Sequence, residues 1–284
     1  MAELVVVRSG PLTTVQDLGR RGVAHLGVPR AGALDEPALR AANRLVGNDP
    51  GAAALETTLG GVAVRATAPV LVAVAGAPAP VRVAGRPAGF GTAVRVPAGA
   101  VLEVGPATHG VRGYLAVAGG VAVPPVLGSR SADLLSGLGP APLAVGDVLP
   151  VGDPVPGAAA AEWVPLAAPP EVLVLRLLLG PHADWFRAVD RLARAVYRVA
   201  PASNRVALRT EGIPLERVRP GELPSEGMVL GAVQVPPDGR PVVFLADHPT
   251  TGGYPVVGVV PRADLPAAAQ ARPGTPVRFT LHRT

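Results

Sequence analysis

The apolar residues of this chain come in short runs closed by glycine or proline, and no other feature restricts the accessible folds as much. Val62 to Arg65, Val70 to Ala75, Val81 to Ala84, Ala93 to Val96, Val101 to Val104 and Gly113 to Ala118 follow one another, with turns such as A-G-G and P-A-G between them. Such runs have strand length, and the 35 glycines and 34 prolines scattered between them read as turns. No run nears the roughly 20 apolar residues that a membrane-spanning helix needs. Only 3% of the chain is aromatic, so valine, leucine and alanine must fill the core.

Two helices interrupt the strand pattern. In D-E-P-A-L-R-A-A-N-R-L-V-G, residues 35 to 47, Asp35 is placed to cap, Pro37 sits in the first turn and Gly47 can end the helix. Leu39, Ala42, Leu45 and Val46 then form the buried stripe. A second helix is expected at about 184 to 198, where Trp185, Val189, Leu192 and Val196 share one face. Residues 151 to 170 are rich in Pro, Gly and Ala without a period, as in a linker or long crossover. The expected organisation is a β-rich domain with one helix at 1–150, that linker, and a second β-barrel-like domain at 171–284.

Composition removes several chemistries. All 26 basic residues are arginine, so there is no lysine for a phosphate loop, a Schiff base or attachment of biotin. The chain has no cysteine, hence no disulfide or thiolate. The arginines are dispersed and aromatics few, which argues against a nucleic-acid surface. The net charge of +5 suits a protein that meets small anions. The opening M-A-E-L-V-V-V-R-S-G lacks the basic segment and apolar core of a signal peptide. A cytoplasmic location and no membrane association are therefore expected.

Four places carry more polar chemistry than turns require. The first is T-T-V-Q-D-L-G-R-R-G, residues 13 to 22, followed by His25 and Asp35. There Gln16 can donate and accept, while Asp17 and Arg20 can hold a polar substrate or each other. The alternative is a turn in which Asp17 bonds its own backbone. The second holds Asn43 and L-E-T-T-L-G-G, where Glu56 lies between Leu55 and Leu59 and needs a partner if buried. Arg20 or Arg130 can supply one, making Glu56 either a structural ion-pair member or a catalytic carboxylate. The third is V-L-G-S-R-S, in which Ser129, Arg130 and Ser131 can hold an anion or simply end a strand.

The fourth place is the richest. It contains Ser203, Asn204 and Arg205, then Ser225, Glu226 and Gln234, then A-D-H-P-T-T-G-G-Y-P with Asp247, Thr250, Thr251, Gly252, Gly253 and Tyr254. Strand ends brought to one rim would make these a small-molecule site. His248, beside a proline in a turn, reads as solvent-exposed. His109, His182 and His282 have no metal-ligand spacing, and no metal site is expected.

Taken together, T-T-V-Q-D-L-G-R-R-G, A-N-R-L-V-G-N, A-A-L-E-T-T-L-G-G, Y-L-A-V-A-G-G-V, S-N-R-V-A-L-R-T-E-G, P-S-E-G and T-T-G-G-Y-P resemble the allophanate hydrolase subunit 2 family. The resemblance runs in consistent order along nearly the whole chain. Members of that family include one component of bacterial ATP-dependent 5-oxoprolinase, the related part of the urea carboxylase carboxyltransferase domain, and an antagonist of a sporulation-kinase inhibitor. What the resemblance implies is a mainly β protein with a few short helices, in two cyclophilin-like β-barrel domains. It also implies obligate partners, the B subunit and a separate A subunit of the oxoprolinase, and turnover of 5-oxoproline with ATP and Mg2+ to glutamate.

On that reading Asp17, Glu56, Glu226 and Asp247 are the candidate catalytic carboxylates. Gln16, Arg20, Asp35, Asn43, Arg130, Ser203, Asn204, Arg205, Gln234, Thr250, Thr251, Gly252, Gly253 and Tyr254 are the candidate substrate-binding residues. D-H-P-T-T-G-G-Y-P and T-T-V-Q-D-L-G-R are expected to face one polar pocket. The alternatives are a biotin-dependent carboxyltransferase acting on urea or a related amide, and a regulatory binding protein. Two departures from the family pattern stand out, Ala31 in A-G-A-L-D and Ala207 in S-N-R-V-A, where the family has serine and glycine.

Overall fold

The computed structural model describes residues 2–154, 162–164, 168–221 and 223–282. They form two compact units. One comprises residues 1–20, 31–133 and 137–169, and the other residues 21–30, 134–136 and 170–284. Two short stretches from the first half of the sequence thus belong with the C-terminal unit.

In the first unit two sheets enclose one apolar core. A six-stranded sheet runs in the order Val148–Pro150, Glu3–Arg8, Ala63–Ala66, Val101–Val104, Val81–Val83, Arg86–Ala88. A five-stranded sheet runs Leu12–Gln16, Ala54–Thr58, Arg112–Val117, Val70–Gly76, Ala93–Val96. Every pairing in both sheets is antiparallel. The short runs read from the sequence are these strands, with ends shifted by a residue or so.

The core between the sheets takes Leu4, Val6, Val64 and Leu102 from one and Val15, Leu55, Val74 and Leu115 from the other. Strand Arg112–Val117 is buried along its whole length, because the five-stranded sheet is covered on its second face too. Alternate residues there, Ala73, Ala75, Tyr114 and Ala116, pack against Leu39, Ala42 and Leu45 of the helix Glu36–Leu45. Alanines on that face let the helix axis come close. The helix begins as its sequence dictates, with the Asp35 side chain accepting from the Ala38 N–H and Pro37 in the first turn.

The second unit is a closed barrel of seven strands: Leu173–Leu179, Val256–Val259, Ala232–Gln234, Val242–Phe244, Ala207–Glu211, Tyr197–Val199 and Pro276–His282. The barrel closes by parallel pairing of Pro276–His282 with Leu173–Leu179, while its other pairings are antiparallel. Closure leaves no edge strand for edge-to-edge association. A separate two-stranded ribbon, Glu226–Gly227 with Thr251–Gly252, adds Gly227 opposite Thr251 and Glu226 opposite Gly252.

The second expected helix does not form as one piece. The structure has a 3-10 turn at Ala183–Trp185 and a single helical turn at Arg191–Arg194, then the strand Tyr197–Val199. Phe186 bridges Arg217, and the Arg187 N–H donates to the Glu216 carbonyl. Ala188 then takes φ 51° and turns the chain. Pairing with 216–218 outweighs the helical period, so Leu192 is buried but Val196 is exposed. Of the stretch expected as a linker, residues 155–161 and 165–167 lie outside the described residues, and Val151 is buried in the first core, bridging Val121.

Candidate functional site

In the first unit, strand alternation decides which polar groups meet. Leu55 faces the inter-sheet core, so Glu56 faces the helix, in register with Thr14 on one neighbouring strand and Tyr114 on the other. Glu56 is buried, and its Oε2 accepts from the Leu34 N–H at 2.9 Å and from the Tyr114 hydroxyl at 2.7 Å. The same hydroxyl accepts from the Asp35 N–H at 2.8 Å. Burial pushes the Tyr114 phenol well above its ordinary range, and the negative charges of Glu56 and Asp35 add to the shift. The phenol therefore stays protonated and acts as a fixed donor. The two arginines expected as partners of Glu56 are engaged elsewhere: Arg20 donates to the Val126 and Ser131 carbonyls, and Arg130 to the Val123 carbonyl.

Asp17 sits in a cradle. Its Oδ1 accepts from the Gly19 N–H at 2.8 Å and from the Ser129 and Ser131 hydroxyls at 2.6 Å each. Its Oδ2 accepts from the Arg130 N–H at 2.7 Å. Ser129, Ser131 and the Arg130 N–H, read as either an anion site or a strand-end turn, are engaged by the chain's own Asp17 carboxylate. Four donors on one carboxylate pin the 129–131 turn to the end of strand Leu12–Gln16. The turn reading and the anion reading of these two motifs are thus one structure.

Gln16 and Arg20 are buried beside it. Gln16 Nε2 donates to Thr14 Oγ1 and the Ala132 carbonyl, both at 3.0 Å, while its Oε1 and Arg20 Nη1 are buried without a partner. Asn43 serves structure, with Nδ2 donating to the Ala52 carbonyl at 2.8 Å and Oδ1 accepting from Asn48 at 2.9 Å.

In the second unit, Arg205 and Asp247 form a buried bidentate pair, Nε to Oδ2 at 2.9 Å and Nη2 to Oδ1 at 2.8 Å, with side chains 1% and 0% exposed. The Leu134 N–H adds a bond to Oδ2 at 3.3 Å. Asn204 Oδ1 accepts from the Val206 and Ala207 N–H groups, and Ser203 Oγ accepts from the Arg209 N–H. Ala207 stands where the family has glycine, yet it opens a strand and pairs with Phe244 without a positive φ. His248, expected at the surface, is buried beside Phe244 and donates from Nδ1 to the Pro249 carbonyl at 2.7 Å.

The ribbon at the barrel rim differs from these closed clusters. It carries Glu226 opposite Gly252, and Gln234 Nε2 donates to the Tyr254 carbonyl at 3.0 Å. A Cβ at Gly252 would come within 2.9 Å of Gln234 Nε2, so a larger residue there would have to displace the Gln234 amide. The Thr250 carbonyl accepts from the Met228 N–H. Thr251 and Tyr254 are exposed, and Gly253 is half-buried. Glu226 is 41% exposed, and its Oε1 lies 3.3 Å from His182 Nδ1. Sequence reasoning missed His182, since 44 positions separate it from Glu226 and only barrel closure brings them together.

The structure therefore gathers the candidate residues as two sets, one within each unit. No group of three or more histidine, aspartate or glutamate side chains able to hold a metal ion occurs among the described residues. Of the three arginines among the candidate substrate-binding residues, Arg20 and Arg205 are engaged with protein groups, and only Arg130 keeps both terminal nitrogens uncommitted.

The family profile described as "Carboxyltransferase domain, subdomain A and B" matches residues 26–281. Over 284 residues the chain is 40% identical to the C subunit of 5-oxoprolinase from Escherichia coli strain K12, covering 97% of this chain and 90% of that one. It is 33% identical to the urea amidolyase of Lachancea kluyveri, covering 96% of this chain and 16% of that protein. The solved structure of TTHA0988 superposes with a TM-score of 0.88 at 40% identity, covering 99% of this chain and 56% of that one. The chain thus corresponds to one part of each of the last two, longer proteins.

Proposed function

The chain belongs to the carboxyltransferase domain family, subdomains A and B, and on that premise we propose that it acts as the C subunit of an ATP-dependent 5-oxoprolinase. With the B subunit it activates the lactam of 5-oxoproline by phosphorylation, and the A subunit then opens the ring to L-glutamate. The observation that carries this reading is the nearly end-to-end correspondence with the C subunit of the E. coli 5-oxoprolinase, whereas the related urea amidolyase holds this stretch as 16% of its length. ATP enters as a substrate with Mg2+. Of the three candidate arginines only Arg130 keeps its terminal nitrogens uncommitted, and on this reading the B subunit supplies the contacts to the nucleotide phosphates.

The match to urea amidolyase favours one second reading, a biotin-dependent carboxyltransferase acting on urea or a related amide. Its biotin would have to be carried elsewhere, because these 284 residues contain no lysine.

The test is release of ADP on adding 5-oxoproline to the protein alone, with the B subunit, and with the A and B subunits together. Stimulation only in the complete mixture is the expected result. Folded and associated chains that show no stimulation would exclude 5-oxoproline, and bicarbonate-dependent turnover with a biotinylated carrier would then transfer the assignment to the second reading.

A further inference from the structure

Three of the four candidate catalytic carboxylates have no capacity left for chemistry. Asp17 is saturated by four donors, Glu56 is buried under Tyr114 and the Leu34 N–H, and Asp247 is locked to Arg205. A general base must lie within hydrogen-bond reach of the proton it abstracts. Of these four, only Glu226 keeps an accessible carboxylate, and it has a histidine beside it.

That histidine is His182, whose side chain is 14% exposed. Its ring stands edge-on to Trp185 at 6.1 Å, with an interplanar angle of 78°. Its Nδ1 faces two groups at once, the Val256 N–H at 3.3 Å and Glu226 Oε1 at 3.3 Å. Because Nδ1 accepts from the Val256 N–H, the ring hydrogen lies on Nε2. Nδ1 and Oε1 then oppose two lone pairs across 3.3 Å, a position that one added proton turns into a hydrogen bond. The segment from Gly252 to Val256 runs past both groups, pairing with Glu226 at Gly252 and reaching His182 at Val256. Gln234, whose Nε2 bonds the Tyr254 carbonyl, fixes that segment from the neighbouring barrel strand.

We propose that Glu226 and His182 form the proton-accepting pair for the amide N–H of the substrate, with Glu226 as the group that touches the amide and His182 as the positioning and proton-sharing residue behind it. This rests on the reading of the chain as part of an amide-activating enzyme. Glu226 takes the proton from the lactam nitrogen, and the N–H electron pair becomes the second bond of C=N. The carbonyl π pair moves onto oxygen, which bonds the γ-phosphorus of the nucleoside triphosphate as the bond to the ADP oxygen breaks. The proton comes to lie between Oε1 and Nδ1.

The experiment uses the complete three-subunit mixture and measures kcat, KM and the pH profile of ADP release for wild type, Glu226→Gln, Glu226→Asp and His182→Gln. Loss of a general base costs on the order of a hundredfold or more in kcat. Glu226→Gln is expected to show that loss with KM changed less than about threefold, and Glu226→Asp to recover part of it. His182→Gln is expected to lose about tenfold or more in kcat with KM changed less than about threefold. Circular dichroism checks that each variant is folded, which the exposure of Glu226 favours. Wild-type turnover with Glu226→Gln at wild-type kcat would overturn the pair and leave the oxoprolinase reading standing. A wild-type mixture without 5-oxoproline-dependent turnover would remove the oxoprolinase reading, and the pair with it.

Discussion

At the scale of single residues, burial separates groups that build the molecule from groups that can act on another. Arg205 and Asp247 illustrate the first kind. Two fully buried opposite charges are held by a bidentate contact, and removing one charge leaves the other poorly compensated in a buried setting. Asp247→Asn is therefore expected to destabilise the barrel by about 3–5 kcal/mol, measured by urea denaturation, while Arg205→Met with Asp247→Leu costs less than Asp247→Asn alone. A loss of activity in Asp247→Asn without loss of stability would contradict this structural role. The sequence marks Asp247 and Asp17 as candidate catalytic carboxylates among glycines. Whether such a carboxylate meets a substrate or its own chain depends on neighbours more than a hundred positions away in the case of Asp17, as Ser129 and Ser131 show.

At the scale of elements, local chemistry was readable where it acts locally. The helix Glu36–Leu45 has its cap, its first-turn proline and its apolar stripe within one short stretch, and all are found where the spacing puts them. The segment 184–198 failed for the opposite reason, because its competing partner, residues 216–218, is remote in sequence and offers backbone pairing that periodicity cannot foresee. Barrel closure makes its own demands on elements. At Gly258, in the seam between strands Leu173–Leu179 and Val256–Val259, an added Cβ would lie 2.4 Å from the Leu178 carbonyl oxygen and 2.8 Å from a Leu177 methyl. Gly258→Ala must push these strands apart and is expected to cost about 1–3 kcal/mol. An unchanged melting temperature would show that the seam is looser than its geometry indicates.

At the scale of the whole molecule, each unit buries a tyrosine whose phenol is raised above its ordinary value of 10.0, Tyr114 mainly by burial and then by Glu56 and Asp35, and Tyr197 by burial alone. A group whose folded pKa is raised contributes stability that is complete below the unfolded pKa and is lost as pH rises toward the folded one. Stability should therefore be flat below pH 10 from these two groups and fall above it, as the unfolded chain ionises and the folded one does not. Tyr114→Phe with Tyr197→Phe is expected to be less stable at neutral pH, yet to show a shallower decline in denaturation midpoint above pH 10. An unchanged slope would place the alkaline sensitivity elsewhere. Short apolar runs punctuated by glycine and proline by themselves determined a mainly β protein, because strand length and turn chemistry are local properties. The absence of lysine likewise determined which chemistries were closed to it, since no fold supplies a missing functional group. Only the tertiary structure decided which carboxylates are consumed in holding the chain together and which one stands open beside a histidine, because strand register and barrel closure choose neighbours that the linear order does not contain.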